Sequence, residues 1–159
     1  MSLELIRLSN KNDRCWADLP ALRRAIEEAG VQFNQRTSAT LIDRVVASFA
    51  IEGHPTIPAD QQGTTAVWYI VEETGKIVGH LLALEDAWDG EKVIYVNQLW
   101  ARHMPREMQQ TATEELDHYA RARGCRRIFM YTRRHCPKFW KERFGFVPHR
   151  VLYQREVSG

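Results

Sequence analysis

Between Ala66 and Ala101 the chain alternates apolar runs with turn formers, and this leaves little choice of architecture. "AVWYIV" and "KIVGHLLAL" are joined by "EETG", whose Gly75 supplies the turn, and "EKVIYVNQLWA" follows after "DAWDG". Three β-rich runs with such short links read as an antiparallel meander. Along the third run, Val93, Tyr95 and Asn97 fall on one face and Ile94, Val96 and Gln98 on the other, as period-2 alternation requires.

The flanks supply helices to cover this sheet. "LELIRL" (Leu3–Leu8) alternates like a half-buried strand. Leu19, Leu22 and Ile26 then share one face of a helix ending at Gly30. A second helix starts near Thr40 and Asp43 and turns Leu41, Ile42, Val45, Val46 and Phe49 inward. Ile51–Thr65, rich in Gly, Pro and Gln, reads as a long loop of the functional kind. After the meander, Met108, Ala112, Leu116, Tyr119 and Ala120 form one stripe of a helix over Glu107–Arg123, stopped by Gly124. "RRIFMYT" is a strand, "PKFWKERF" a short helix ended by Gly145, and "VLYQREV" a closing strand. The order β-α-α-β-β-β-α-β-α-β defines a mixed α/β (α+β) sheet in one domain spanning residues 1–159.

Composition narrows the function classes. Apolar residues at 44% and charged residues at 26% are ordinary for a globular chain. No apolar run approaches the length of a membrane span, and "MSLELIRLSNKNDR" has no apolar signal core, so an intracellular, cytoplasmic protein is expected. Cys15, Cys125 and Cys136 are odd in number and lack metal-ligand spacing, so free thiols and no metal site are expected. Net charge is only +2, yet Arg121–Arg150 carries ten Lys/Arg against one acid, Glu142. Such a surface suits phosphates or an acidic protein partner, or simply solvates helix ends. No helix-turn-helix, RNP or zinc pattern accompanies it, so nothing beyond charge favours nucleic acid.

Three phrases, in this order, resemble the GNAT N-acetyltransferase superfamily. "GKIVGHLLAL" is similar to its second hairpin strand. "ELDHYARARGCRRIFMYT" is similar to its central helix, Gly stop and following strand. "FWKERFGF" is similar to its late helix, with Phe139 or Trp140 packing toward the coenzyme side and Gly145 allowing the turn into the last strand. The resemblance runs from about Ala66 to Val157 and implies transfer of an acyl group from acetyl-CoA, or another acyl-CoA, to a small-molecule or protein amine. The loop Ile51–Thr65 would help shape the acceptor pocket.

The resemblance also assigns positions. Leu99, Trp100 and Ala101 stand where strand backbone faces the pantetheine arm. Arg106, Glu107, Met108, Gln109, Gln110 and Thr111 stand where a glycine-rich loop wraps the pyrophosphate. Arg106 stands for its leading basic residue, while Gln109 occupies the place of one of its glycines and Thr111 that of its small last residue. Both glycines are missing, and Glu107 adds negative charge. The same segment also reads as a helix N-terminus with Pro105 in its first turn and Glu107 complementing the dipole. Arg133 and Arg134 follow a strand end and suit coenzyme phosphates. The family's general acid falls at Lys141, which would need burial to exchange protons. Its general base falls at Asn97, which takes no proton, and Tyr131 is a further candidate acid. Positioning alone can carry much of an acyl transfer. The departures keep a second reading open: a non-catalytic GNAT-like module in a larger assembly, such as a phage particle. The amine and the oligomeric state are not written in the chain.

Overall fold

A computed structural model describes residues 2–9, 19–32, 39–101, 103–130, 136–149, 155 and 157. The elements are β1 (Leu3–Arg7), α1 (Leu19–Gln32), α2 (Ala39–Ile51), β2 (Thr65–Glu72), β3 (Ile77–Trp88), β4 (Glu91–Ala101), α3 (Arg106–Ala122), β5 (Ile128–Met130) and α4 (Pro137–Phe144). This is the expected order. The closing strand expected over "VLYQREV" falls outside the described residues, except at 155 and 157.

The sheet runs β1-β2-β3-β4-β5. The first three pairings are antiparallel, and β4 with β5 is parallel. β1 reaches β2 across both intervening helices, with Leu3 opposite Glu72. β2 is buried on both faces, and its alternation divides the core in two. Val67, Tyr69 and Val71 pack with Leu22, Val45, Phe49 and Leu82 beneath α1 and α2. Ala66 and Trp68 pack with Leu81, Ile94, Val96, Leu116 and Tyr119 beneath α3. Each fully buried Val, Leu, Ile or Phe among them contributes about 1.5–3 kcal/mol. The Trp68 and Tyr119 rings meet edge to face, with centroids 5.7 Å apart, and the Arg7 guanidinium lies over both.

Two boundaries differ from the sequence reading. α1 continues to Gln32, two residues past Gly30, because one interior glycine costs a helix only about 1 kcal/mol. β3 runs through Trp88 rather than ending before "DAWDG", and the turn contracts to Asp89 (φ 50°) and Gly90 (φ 77°). Two left-handed residues in a two-residue link are the hairpin pattern whose twist matches the strands. The change brings Trp88 into the sheet. At the other end, Gly145 (φ 74°) stops α4 as expected, with Phe146 N–H bonded to the Trp140 carbonyl at 3.1 Å.

Candidate functional site

β4 is irregular at one position. Ala83 stands opposite Val96 and Leu82 opposite Gln98, so Asn97 is the extra residue of a β-bulge. The bulge overturns the expected alternation. Val96 shares the α3-facing side with Ala83, whereas Gln98 shares the opposite side with Leu82. There Gln98 meets His80, with Oε1 2.8 Å from the ring Nε2, and both side chains are buried. Burial holds the His80 imidazole below the usual histidine range, partly countered by the Gln98 hydrogen bond.

The described β4–β5 ladder consists of Ile94–Ile128, Tyr95–Phe129 and Val96–Met130. β4 continues past it to Ala101. The bulge at Asn97 directly follows Val96, the partner of Met130. Beyond it, Leu99 packs against the α3-side core, Ala101 is half-buried, and Trp100 lies in the strand with its side chain outside the described residues.

The chain then passes Met104 and Pro105 into α3. The segment 106–111 is helix, not a wrapping loop, because Pro105 fixes the N-cap geometry (φ −57°) and helix formers follow. Gln109 N–H is the first to find an intrahelical acceptor, the Pro105 carbonyl at 3.0 Å. The amides of Arg106, Glu107 and Met108 precede it and have no acceptor within the helix. Arg106, Glu107, Gln110 and Thr111 are exposed around this end. Thr111 bonds back to the Glu107 carbonyl and Gln110 to Glu114. Met108 is buried in the core, which removes its side chain from any ligand. Gln109 donates to the Met104 carbonyl at 3.0 Å, and its own Oε1 is buried without a partner.

Structure comparison places this arrangement. The chain aligns with an aminoglycoside acetyltransferase from an uncultured soil metagenomic sample at 19% identity and TM-score 0.62, covering 99% of this chain and 100% of the other. Glucosamine-6-phosphate N-acetyltransferase from Arabidopsis thaliana aligns at 14% identity and TM-score 0.63, covering 99% and 100%. A predicted acetyltransferase from Clostridium acetobutylicum, with acetyl-CoA, aligns at 10% identity and TM-score 0.66, covering 98% and 96%. The chain has the GNAT acetyltransferase fold. No family model and no curated protein matches its sequence.

Within this GNAT fold the assigned positions divide. Asn97, Leu99, Trp100, Ala101 and the first turn of α3 come from adjoining stretches of β4 and α3. Lys141 is exposed in the last turn of α4, so the burial its proton exchange would need is absent. Phe139 is 41% exposed, while Trp140 is half-buried with an unpartnered indole N–H. Tyr131, Arg133 and Arg134 lie outside the described residues. Among the described residues no cluster has the ligands for a metal, and no helix is long and apolar enough to cross a membrane.

The loop Ile51–Thr65 does not border this end of the sheet. Gln62 ties it internally, bonding Gly53 N–H and the carbonyls of His54 and Ile57. Arg123 holds the Gln62 and Asp60 carbonyls, and Tyr119 holds that of Gly63 at 2.7 Å. Both anchors stand toward the C-terminal end of α3, about 20 Å (Tyr119) and about 25 Å (Arg123) from Arg106 at 1.5 Å per residue. The sequence signalled a long loop but not its place. The His80–Gln98 pair and the bulge had no sequence signal beyond a lone histidine in an apolar strand.

Proposed function

We propose that the protein transfers an acyl group from an acyl-CoA, with acetyl-CoA the first choice, to an amine. The observation that carries this reading is the meeting of two features. The Asn97 bulge directly follows Val96, the partner of Met130 in β5, and α3 begins a few residues later with three amides lacking helical acceptors.

Each feature suits one part of the coenzyme. The backbone of Leu99, Trp100 and Ala101 would bond the amide-containing pantetheine arm as an added strand bonds a sheet edge. The α3 amides, with the helix dipole and Arg106, would take the pyrophosphate, and Arg133 and Arg134 further phosphate charge. Glu107 weakens that end, so its helix-stabilising charge opposes the ligand it borders. The acyl carbonyl would then lie near the bulge, where the free amine adds to it and the thiolate departs. Asn97 can orient groups by hydrogen bonding but cannot take the ammonium proton. Deprotonation would fall to water, with Tyr131 as candidate acid toward the thiolate, and positioning would supply most of the acceleration. The acetyltransferases of the same fold, two named for amino-sugar or aminoglycoside chemistry, support the reaction class.

Calorimetric titration with acetyl-CoA, repeated on Arg106→Ala, tests the proposal. Micromolar binding weakened several-fold by the substitution is expected. A folded sample that gives no heat at millimolar coenzyme ends the acyltransferase reading and leaves a GNAT-fold interaction module.

A further inference from the structure

The sheet face opposite α3 carries a group of rings that the coenzyme does not need. Trp88 lies nearly parallel to Phe129, with centroids 5.0 Å apart and planes at 12°. Tyr95 adjoins Trp88 at 6.4 Å, and His149 adjoins Phe129 at 5.2 Å. Trp88, Tyr95 and Phe129 come from three adjacent strands, and register places them together: Tyr95 pairs with Leu84 and with Phe129, while Trp88 follows Leu84 by four residues on the same face. All three are half-buried, and Trp88 and Tyr95 have further partners besides these rings. The other face of these strands is packed by α3.

A carboxylate stands beside the rings. Asp86 lies between Leu84 and Trp88 on the same face of β3, diagonal to Tyr95. It is exposed, accepts the Ala87 amide at 2.8 Å, and pairs with no cation among the described residues. The Arg44 guanidinium from α2 donates to the Glu85 carbonyl (2.9 Å) rather than to Asp86. Glu91, opposite Trp88, is already paired with Arg127 at 3.6 Å. Among the described residues this carboxylate has no ion-pair partner, and a carboxylate beside aromatic rings attracts an organic cation by charge and by the ring quadrupoles together. A neutral aromatic ligand would use the rings and gain nothing from Asp86.

Position relates this patch to the reaction. Asp86 stands opposite Val93, four residues before the Asn97 bulge. At about 3.3 Å per residue the two points are ~13 Å apart along β4. We infer that the acceptor is an extended polyamine, with one ammonium held by Asp86 and the Trp88–Tyr95–Phe129 rings while its far amine reaches the bulge. This rests on the acyltransferase reading for the role of the far amine, but the cation site stands on its own residues.

Calorimetry without coenzyme separates the two. Spermidine, 1,4-diaminobutane, n-butylamine and 2-phenylethylamine are titrated into the full chain and into Asp86→Asn and Phe129→Leu, each first checked for an unchanged thermal melt. Spermidine should bind most tightly, because 1,4-diaminobutane is too short to engage both points. Asp86→Asn should weaken it about tenfold or more, the loss of one charge-assisted contact. Tighter binding of 2-phenylethylamine, indifference to Asp86→Asn, or no amine binding at millimolar concentration each overturns the inference. Spermidine binding without acetyl-CoA binding keeps the cation site and removes the acyl transfer.

Discussion

Arg123 Nε lies 2.7 Å from Glu85 Oε2, with the side chains only 12% and 17% exposed. The same guanidinium holds the Gln62 and Asp60 carbonyls, so one side chain fastens α3, β3 and the loop after α2. Lys92 also reaches Glu85, but at 3.7 Å and half exposed.

Arg123→Ala should therefore destabilise the fold by about 2–4 kcal/mol, since it leaves a partly buried carboxylate and two carbonyls short of a donor. Glu85→Gln should cost less, because the amide oxygen still accepts a hydrogen bond. Urea denaturation checks both. Equal losses would show that the ion pair, rather than the three-way clamp, is what matters.

His80 makes stability depend on pH in a definite direction. Burial lowers its folded pKa below the unfolded value of 6.5, so below that pH the unfolded chain binds a proton that the folded chain refuses. The neutral-histidine contribution is fully present above pH 6.5. It falls by up to about 1.4 kcal/mol per pH unit as pH drops from there toward the folded pKa. Denaturation midpoints of wild type and His80→Gln between pH 7.5 and 5.5 isolate the effect: the wild type should lose stability faster. Parallel curves would contradict it.

Glu107→Gln should move two observables in opposite directions. Removing an acid from the first turn of α3 should cost the helix about 0.3–1 kcal/mol. Removing the same charge from beside the proposed pyrophosphate site should tighten acetyl-CoA several-fold. A variant that is less stable and no better at binding would mean that the anion does not sit at this helix end.

Deleting Asn97 is the sharpest test of the bulge. Val96 and Gln98 already point to opposite faces, so deletion restores regular alternation without moving any core residue to the wrong side. The chain should fold with a near-normal melt and lose acetyl-CoA affinity by about tenfold or more, because β4 no longer bends ahead of Leu99–Ala101. Retained affinity would detach coenzyme binding from the bulge.

What the sequence revealed follows from what is periodic or punctuated. The α3 stripe from Met108 to Ala120 and the stops at Gly124 and Gly145 are local signals, and each stands where its spacing put it. The bulge was hidden because alternation counts residues and cannot register an extra one that has no partner across the ladder. For the same reason Gln98 was assigned to the wrong face. The 106–111 segment looked like a loop through the family pattern, whereas Pro105 and Glu107 taken by themselves read as a helix start, which is the structure found. The docking of the loop 51–65 depends on Arg123 and Tyr119, more than fifty residues away, a contact that no local pattern encodes.

The pairing of β1 with β2 also sets an order of events. As the chain leaves the ribosome, the residues around Leu3 appear before their partners around Glu72, which are made almost seventy residues later. The strand must wait, its apolar side chains unburied, while the meander β2–β3–β4 can zip from its short turns. This edge of the sheet is thus among the last parts to be secured, and folding speed should respond to changes in Leu3–Arg7 less than to changes in the hairpin turns.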